Sequence, residues 1–366
     1  MRTGAEHGGA FWNSIGADFK HLKRRSSIIN ADVLDAWFPP SPLVLEALGE
    51  PSAWLFQTSP PEGAEGLLSA ISGARRVSSE NIVLGAGSSD LIFRALLMAL
   101  DVDSRALVPD PTYGEYAHVL DKVIGCRVDR LPLIDWRIDL DAAAERLNSE
   151  LYELFVLVNP NSPTGHSHSP GAVAAFIKAA PERTMIWIDE AYADYAGISC
   201  EPLVAEAPNV IVCKSMSKVY SLSGLRVGYL VGPKPFVDRV WLRTPPWIVS
   251  LPGQIAACAA LADSAYYAGR YDETRVLRGE LETALVDIAG TVLMGETNFV
   301  LWRLPADLDA NAVAEKCERG GVYVRKAGSI GSGLENTLRI SVKGHDIQER
   351  MLDTLRQATF VEGLNP

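Results

Sequence analysis

Ser215-Met216-Ser217-Lys218, followed by Gly224-Leu225-Arg226-Val227-Gly228-Tyr229, places one lysine between small hydroxyl residues and a downstream arginine. A lysine amine condenses with a carbonyl to give a Schiff base, while hydroxyls and a guanidinium collect a dianionic phosphate beside it. The stretch therefore suits a covalently held aldehyde cofactor that carries a phosphate, pyridoxal 5'-phosphate. By itself the same pattern also describes a strand-to-loop exit with a solvated Lys218. Other segments of the chain must decide between the two.

Four of them supply further parts of such a site, in chain order. Gly85-Ala86-Gly87-Ser88-Ser89-Asp90 follows an apolar run and opens a helical one, so that Gly87, Ser88 and Ser89 form either a phosphate cup at a helix N-terminus or a tight turn with a capping serine. In Asp110-Pro111-Thr112-Tyr113-Gly114, Tyr113 is a stacking platform for a pyridine ring or a core tyrosine. Asn159-Pro160-Asn161-Ser162-Pro163-Thr164-Gly165 is a loop fixed by two prolines and a glycine, from which Asn161 is expected to aim its amide at the phenolate oxygen of the cofactor. In Ile188-Asp189-Glu190-Ala191-Tyr192, Asp189 is either a surface acid or the partner that keeps a pyridine nitrogen protonated, with Tyr192 reaching the same phenolate.

These segments sit at the ends of short apolar, β-branched runs. The runs cover Asn81 to Leu84, Ala106 to Pro109, Leu154 to Val158, Met185 to Ile188, Val210 to Cys213 and Val227 to Val231, and segments of helical period separate them. The alternation predicts an α/β fold with a mostly parallel sheet between helices, whose chemistry gathers at the carboxyl ends of the strands. Ser169-Pro170 reads as the start of one of the helices. From near Pro245 the pattern changes to a long helical segment over about Gln254 to Ala289. Strands follow around Asn298 to Leu304, Gly321 to Lys326 and Thr337 to Val342, and a closing helix begins at about Asp346, which together describe a smaller α+β domain. The expected division is an N-terminal arm over 1–40, a large cofactor domain over 41–245 and a small domain over 246–366.

With 366 residues, 48% of them hydrophobic and 22% charged, the chain has the composition of a globular protein with a sizeable core. A net charge of −11 argues against nucleic-acid and anionic-membrane partners. The one basic run, Lys20-His21-Leu22-Lys23-Arg24-Arg25, reads as a solvated or substrate-facing part of the arm. Five scattered cysteines without a C-x-x-C pair suggest neither a metal site nor a disulfide framework, and no signal-peptide or bilayer-length apolar run occurs. A cytoplasmic location is the expectation.

Taken together, Tyr113, Asn161, Asp189, Tyr192, Lys218 and Arg226 fall in the order and loop contexts of fold-type I pyridoxal phosphate enzymes. The chain resembles a class I/II aminotransferase, closest to the histidinol-phosphate aminotransferase branch, over roughly residues 28 to 360. The resemblance implies that Lys218 forms the Schiff base and moves the proton, and that Ser215, Ser217 and Arg226 join Gly87, Ser88 and Ser89 at the phosphate. It also implies that Arg339, in Thr337-Leu338-Arg339-Ile340-Ser341, clamps a substrate carboxylate or equivalent anion in a fork. Arg325 is a second anion-binding arginine or a structural one, and Asn30 faces the substrate. An amino donor, a 2-oxo acid or carbonyl acceptor and a homodimer are the implied partners.

Three stretches depart from that branch. Leu55-Phe56-Gln57-Thr58-Ser59-Pro60-Pro61 lacks the tyrosine that reaches the partner subunit's phosphate, and Ile29 to Phe38 replaces a polar segment of the arm. The third, Thr244-Pro245-Pro246-Trp247-Ile248-Val249-Ser250, is closer to threonine-phosphate decarboxylase, which makes decarboxylation the alternative to transamination.

Overall fold

The computed structural model describes residues 8–49 and 52–360. Its strands are β1 (Ile29–Ala31), β2 (Ile82–Gly85), β3 (Arg105–Asp110), β4 (Arg127–Pro132), β5 (Leu154–Val158), β6 (Met185–Asp189), β7 (Val210–Ser215), β8 (Gly228–Val231), β9 (Thr291–Leu293), β10 (Phe299–Arg303), β11 (Val322–Lys326) and β12 (Thr337–Ser341). Seven of them form one sheet in the order β2-β8-β7-β6-β5-β3-β4. Only β8 runs antiparallel to its neighbours.

Every residue of β5 is buried, as its unbroken Leu-Phe-Val-Leu-Val run requires of a central strand covered on both faces. Successive side chains point to opposite faces. Leu107, Phe155, Leu157, Ile186 and Ile188 accordingly enter one core, while Ala106, Val108, Leu154, Val156 and Trp187 enter the core on the other side. The start signal at Ser169-Pro170 is realised in the helix Pro170–Ala179, where the Ser169 hydroxyl accepts from the Ala172 N–H at 3.2 Å. At the edge, β4 escaped the apolar-run reading because Arg-Val-Asp-Arg-Leu-Pro is half charged. An edge strand tolerates such charge and is protected by it.

The second sheet has the order β1-β11-β12-β10-β9. Its core, with Leu281, Leu285, Trp302, Val313, Cys317, Met351 and Leu355, lies against the helices Ser264–Ile288, Ala310–Arg319 and His345–Thr359. The sheet takes β1 from the N-terminal segment, with Ile29 opposite Val322 and Ala31 opposite Val324 in a parallel pair. The long helical segment read over Gln254 to Ala289 is two helices, Leu251–Ala262 and Ser264–Ile288. They break at Asp263, whose ψ of 50° is not helical, in keeping with the competition that aspartate offers to helix geometry. Among the described residues no helix is long and apolar enough to cross a membrane.

Candidate active site

A cavity opens where the carboxyl ends of β5, β6 and β7 meet the N-terminal segment and β12. Its walls include Ser88, Tyr113, Ser162, Asp189, Tyr192, Ser215, Lys218 and Arg339, closed from the N-terminal side by Gly8, Val33 and Leu34. The sheet geometry explains the gathering. Parallel strands all present their carboxyl ends on one edge, and the chain must turn there, so the residues that follow β2, β3, β5, β6 and β7 converge.

At one end of the cavity the helix Ser88–Ala99 begins at Gly87, which has φ +86° and offers no side-chain cap. A Cβ at Gly87 would stand 2.5 Å from Arg226 Nη2, and a Cβ at Gly228 would stand 2.7 Å from the Ser88 backbone nitrogen. Both glycines are therefore required to let backbone and guanidinium approach one another. Arg226 donates to the Ser217 hydroxyl at 3.2 Å. Ser88 and Ser89 open the first helical turn beside this guanidinium, and burial pushes the Tyr113 phenol up, with Ser89 as a hydrogen-bond partner opposing that rise. Free first-turn N–H groups, hydroxyls and one guanidinium fit a phosphate dianion.

Asp189 ends β6 almost wholly buried. Burial raises its carboxyl, and two donors oppose that rise: the Tyr116 hydroxyl at 2.6 Å and the Ala191 N–H at 3.0 Å. Trp187 Nε1 in turn donates to Tyr116 at 2.8 Å. A buried carboxylate oriented in this way suits a protonated ring nitrogen. The relay through Tyr116 had a visible signal, since Tyr116 follows Tyr113 by one helical step, but only the fold brings it to Asp189.

The loop after β5 differs from its sequence reading. The Asn161 amide is committed away from the cavity: its Oδ1 accepts from Thr112 at 2.7 Å, and its Nδ2 donates to the Pro111 carbonyl at 3.0 Å and to Thr164 at 3.1 Å. The next residue, Ser162, lines the cavity instead. Tyr192 also lines it, its ring edge-on to Phe299 at 5.4 Å and its phenol raised by burial against the opposing effect of Arg339.

Lys218 reaches the cavity from a single helical turn, Met216–Val219, whose carbonyl at Lys218 accepts from Tyr195 at 2.9 Å. Its Nζ donates to Asp35 at 3.0 Å. Arg339 points in from β12. It donates to the Asp32 carbonyl at 3.3 Å, and its buried Nε has no partner among the described residues, so the guanidinium is left to grip an anion. Arg325 stands directly opposite Arg339 across the β11–β12 ladder, outside the cavity wall. Asn30 also lies off the wall, accepting from the Val33 N–H at 3.1 Å.

Next to Asp189 and Ser215 the neighbouring side chains, Glu190 and Lys214, face the other way. Lys214, before Ser215, lies 3.0 Å from Glu190 and 3.2 Å from Asp194, and Arg75 lies 2.7 Å from Asp194. Tyr229 donates to Glu201 at 2.9 Å, completing a buried ionic cluster beneath the site. Burial alone would raise the Asp194 carboxyl, but Lys214 and Arg75 win and hold it down at about 2. Lys214→Met should therefore destabilise the protein by about 3–5 kcal/mol, because it strands buried carboxylates rather than removing a pair. Urea melts at pH 7 measure this. Because the Asp194 value is depressed, the stability it contributes is complete above its unfolded value of 3.8 and is lost as pH falls toward 2. A variant as stable as the parent at pH 7 would show the cluster to be energetically idle.

Known proteins match this architecture. The family model described as "Aminotransferase class I and II" matches residues 54–355. Histidinol-phosphate aminotransferase 2 of Carboxydothermus hydrogenoformans is 29% identical over 89% of this chain and 91% of its own length. Aromatic amino acid aminotransferase of Thermobifida fusca is 31% identical over 93% and 91% of the two chains. The crystal structure of histidinol-phosphate aminotransferase from Sinorhizobium meliloti in complex with pyridoxal-5'-phosphate superposes with a TM-score of 0.84 at 23% identity, over 98% of this chain and 99% of the other. A match across most of the length, carried by a fold whose strand ends hold a lysine, a buried aspartate and an anion cradle, makes this chain a member of the class I and II aminotransferases, enzymes that use pyridoxal 5'-phosphate.

Proposed function

We propose that the cavity transfers an amino group between an amino acid or amino-phosphate donor and a 2-oxo acid acceptor. The observation that carries this is the convergence of Lys218, Asp189, Tyr192, Tyr113 and Arg339 on one cavity with Ser88 and Ser215 at its end. When bound, pyridoxal phosphate supplies an electron sink for the carbon that exchanges its nitrogen.

In this reading Gly87, Ser88, Ser89, Ser215, Ser217 and Arg226 would hold the phosphate, and Tyr113 would pack on the ring. Asp189, oriented by Tyr116, would keep the ring nitrogen protonated. Ser162 and Tyr192 would supply hydroxyls to the ring oxygen, while Asn161 braces the loop that presents Ser162. Lys218 Nζ is the group that takes and returns the substrate proton. Arg339 binds the substrate carboxylate, with Arg325 and Asn30 placed to act on the rest of an anionic substrate.

A homodimer in the cytoplasm completes the proposal. Trp54 and Phe56, 51% and 79% exposed on the helix Ser52–Gln57, offer apolar surface for a second copy, and a closed two-fold pairing is the commonest way to cover such surface.

The test is an absorption titration of the holoprotein with single amino acids. A donor should convert the yellow band to a near-ultraviolet band, and a 2-oxo acid should restore it. Persistent yellow colour with release of carbon dioxide would instead identify a decarboxylase of the threonine-phosphate type, and a protein that takes up no cofactor would end the proposal.

A further inference from the structure

Asp35 belongs to none of the groups assigned above, yet it is the ion-pair partner of Lys218, at 3.0 Å. The same oxygen, Oδ1, accepts from the Ser223 hydroxyl at 2.6 Å, and Ser223 also donates to the Ser217 carbonyl at 3.1 Å. The carboxylate is thus fixed by the loop that carries the lysine. It lies on the wall segment that includes Val33 and Leu34, four residues beyond β1.

A second cation, Lys343, two residues past β12, interacts electrostatically with both Asp35 and Lys218. Burial lowers the Lys343 ammonium to about 8, with Asp35 opposing and Lys218 adding to the fall. Burial raises the Asp35 carboxyl, but Lys218, Ser223 and Lys343 together hold it below the ordinary range. The phenols of Tyr192 and Tyr195 also feel the Asp35 charge from the loop after β6, and both are pushed upward chiefly by burial, so they remain neutral. Arg339 and Asp189 are the remaining charges on the cavity wall.

We propose that Asp35 is a positioning residue that orients the Lys218 nitrogen and favours its charged form once pyridoxal phosphate is attached there, and that Lys343 opposes it. An anion within hydrogen-bond reach favours the charged form of a nitrogen, and a neighbouring cation disfavours it. The pair therefore sets how readily that nitrogen carries charge at neutral pH. This rests on the assignment of Lys218 as the cofactor lysine.

The experiment is a visible-absorption pH titration of the holoprotein, with no substrate added, for the parent, Asp35→Asn and Lys343→Met. Loss of the carboxylate should move the midpoint at which the yellow protonated form disappears down by about 1–2 pH units, the range for one close opposite charge. Removing the lysine should move it up. Asp35→Glu should restore the parent midpoint at least in part, which a purely structural role would not require. Unchanged midpoints in both Asp35→Asn and Lys343→Met would overturn the proposal, and if Asp35→Asn fails to fold, an unmoved Lys343→Met midpoint overturns it alone. Failure of the underlying assignment looks different: the parent itself would form no yellow band and no borohydride-fixed adduct at Lys218.

Discussion

Lys218→Ala should lose transamination by about 10⁴-fold or more, since on the proposed reading one substitution removes both the covalent attachment point and the group that moves the substrate proton. The fold should survive. Lys218 is carried by a single turn whose backbone is held independently by Tyr195, and its ammonium is partly exposed, so alanine creates no large void. Removing the ammonium also leaves Asp35 with Ser223 as its remaining close donor, a modest cost at a partly solvated carboxylate. Steady-state kinetics with the donor found by titration, alongside circular dichroism melts, separate the two effects. Turnover within about tenfold of the parent would mean that another group carries the chemistry.

Asp189→Asn should be the next most damaging change, lowering turnover by about 10²–10³-fold with little change in melting temperature. Asparagine keeps the shape and can still accept from Ala191, so the site stays assembled while its charge is lost. Two opposite charges about 4 Å apart at an effective dielectric of about 20 attract by about 4 kcal/mol, the scale of a thousandfold in rate. On the proposed reading, that attraction would hold a proton on the ring nitrogen of the cofactor at neutral pH. Burial makes the arithmetic one-sided, because almost no water reaches the Asp189 carboxylate to take the place of the missing charge. Comparing kcat of the variant with its cofactor affinity tests the argument. A variant that binds the cofactor weakly but turns over normally once saturated would assign Asp189 to binding alone.

Much of this site was legible in the sequence because its parts sit at strand ends, where apolar runs stop and polar residues begin abruptly. Lys218, Asp189, Tyr113, Tyr192 and Ser88 could each be placed on a loop before any coordinates, and the structure sets all five on one cavity wall. Asn161 shows where such reading stops. A loop bounded by two prolines fixes which residues are adjacent, but not which of two neighbours turns inward, and here Thr112 and Thr164 capture the amide while Ser162 faces the cavity. Asp35 was invisible for another reason. Its partner is 183 residues away, and nothing in Val-Leu-Asp-Ala-Trp distinguishes a charge paired with a lysine from one surrounded by water. The three-residue β1 was equally hidden, being too short for any periodicity to register.

The parallel pairing of β1 with β11 makes the larger unit an insertion within the smaller one, because the chain enters through the second sheet, leaves to build the seven-stranded sheet, and returns to finish where it began. Chimeras built by exchanging only the C-terminal third with that of a relative would combine strands from two lineages in a single sheet. Recombination that respects this architecture needs two crossovers, one on each side of the central unit, and the N-terminal segment must travel with the C-terminal one.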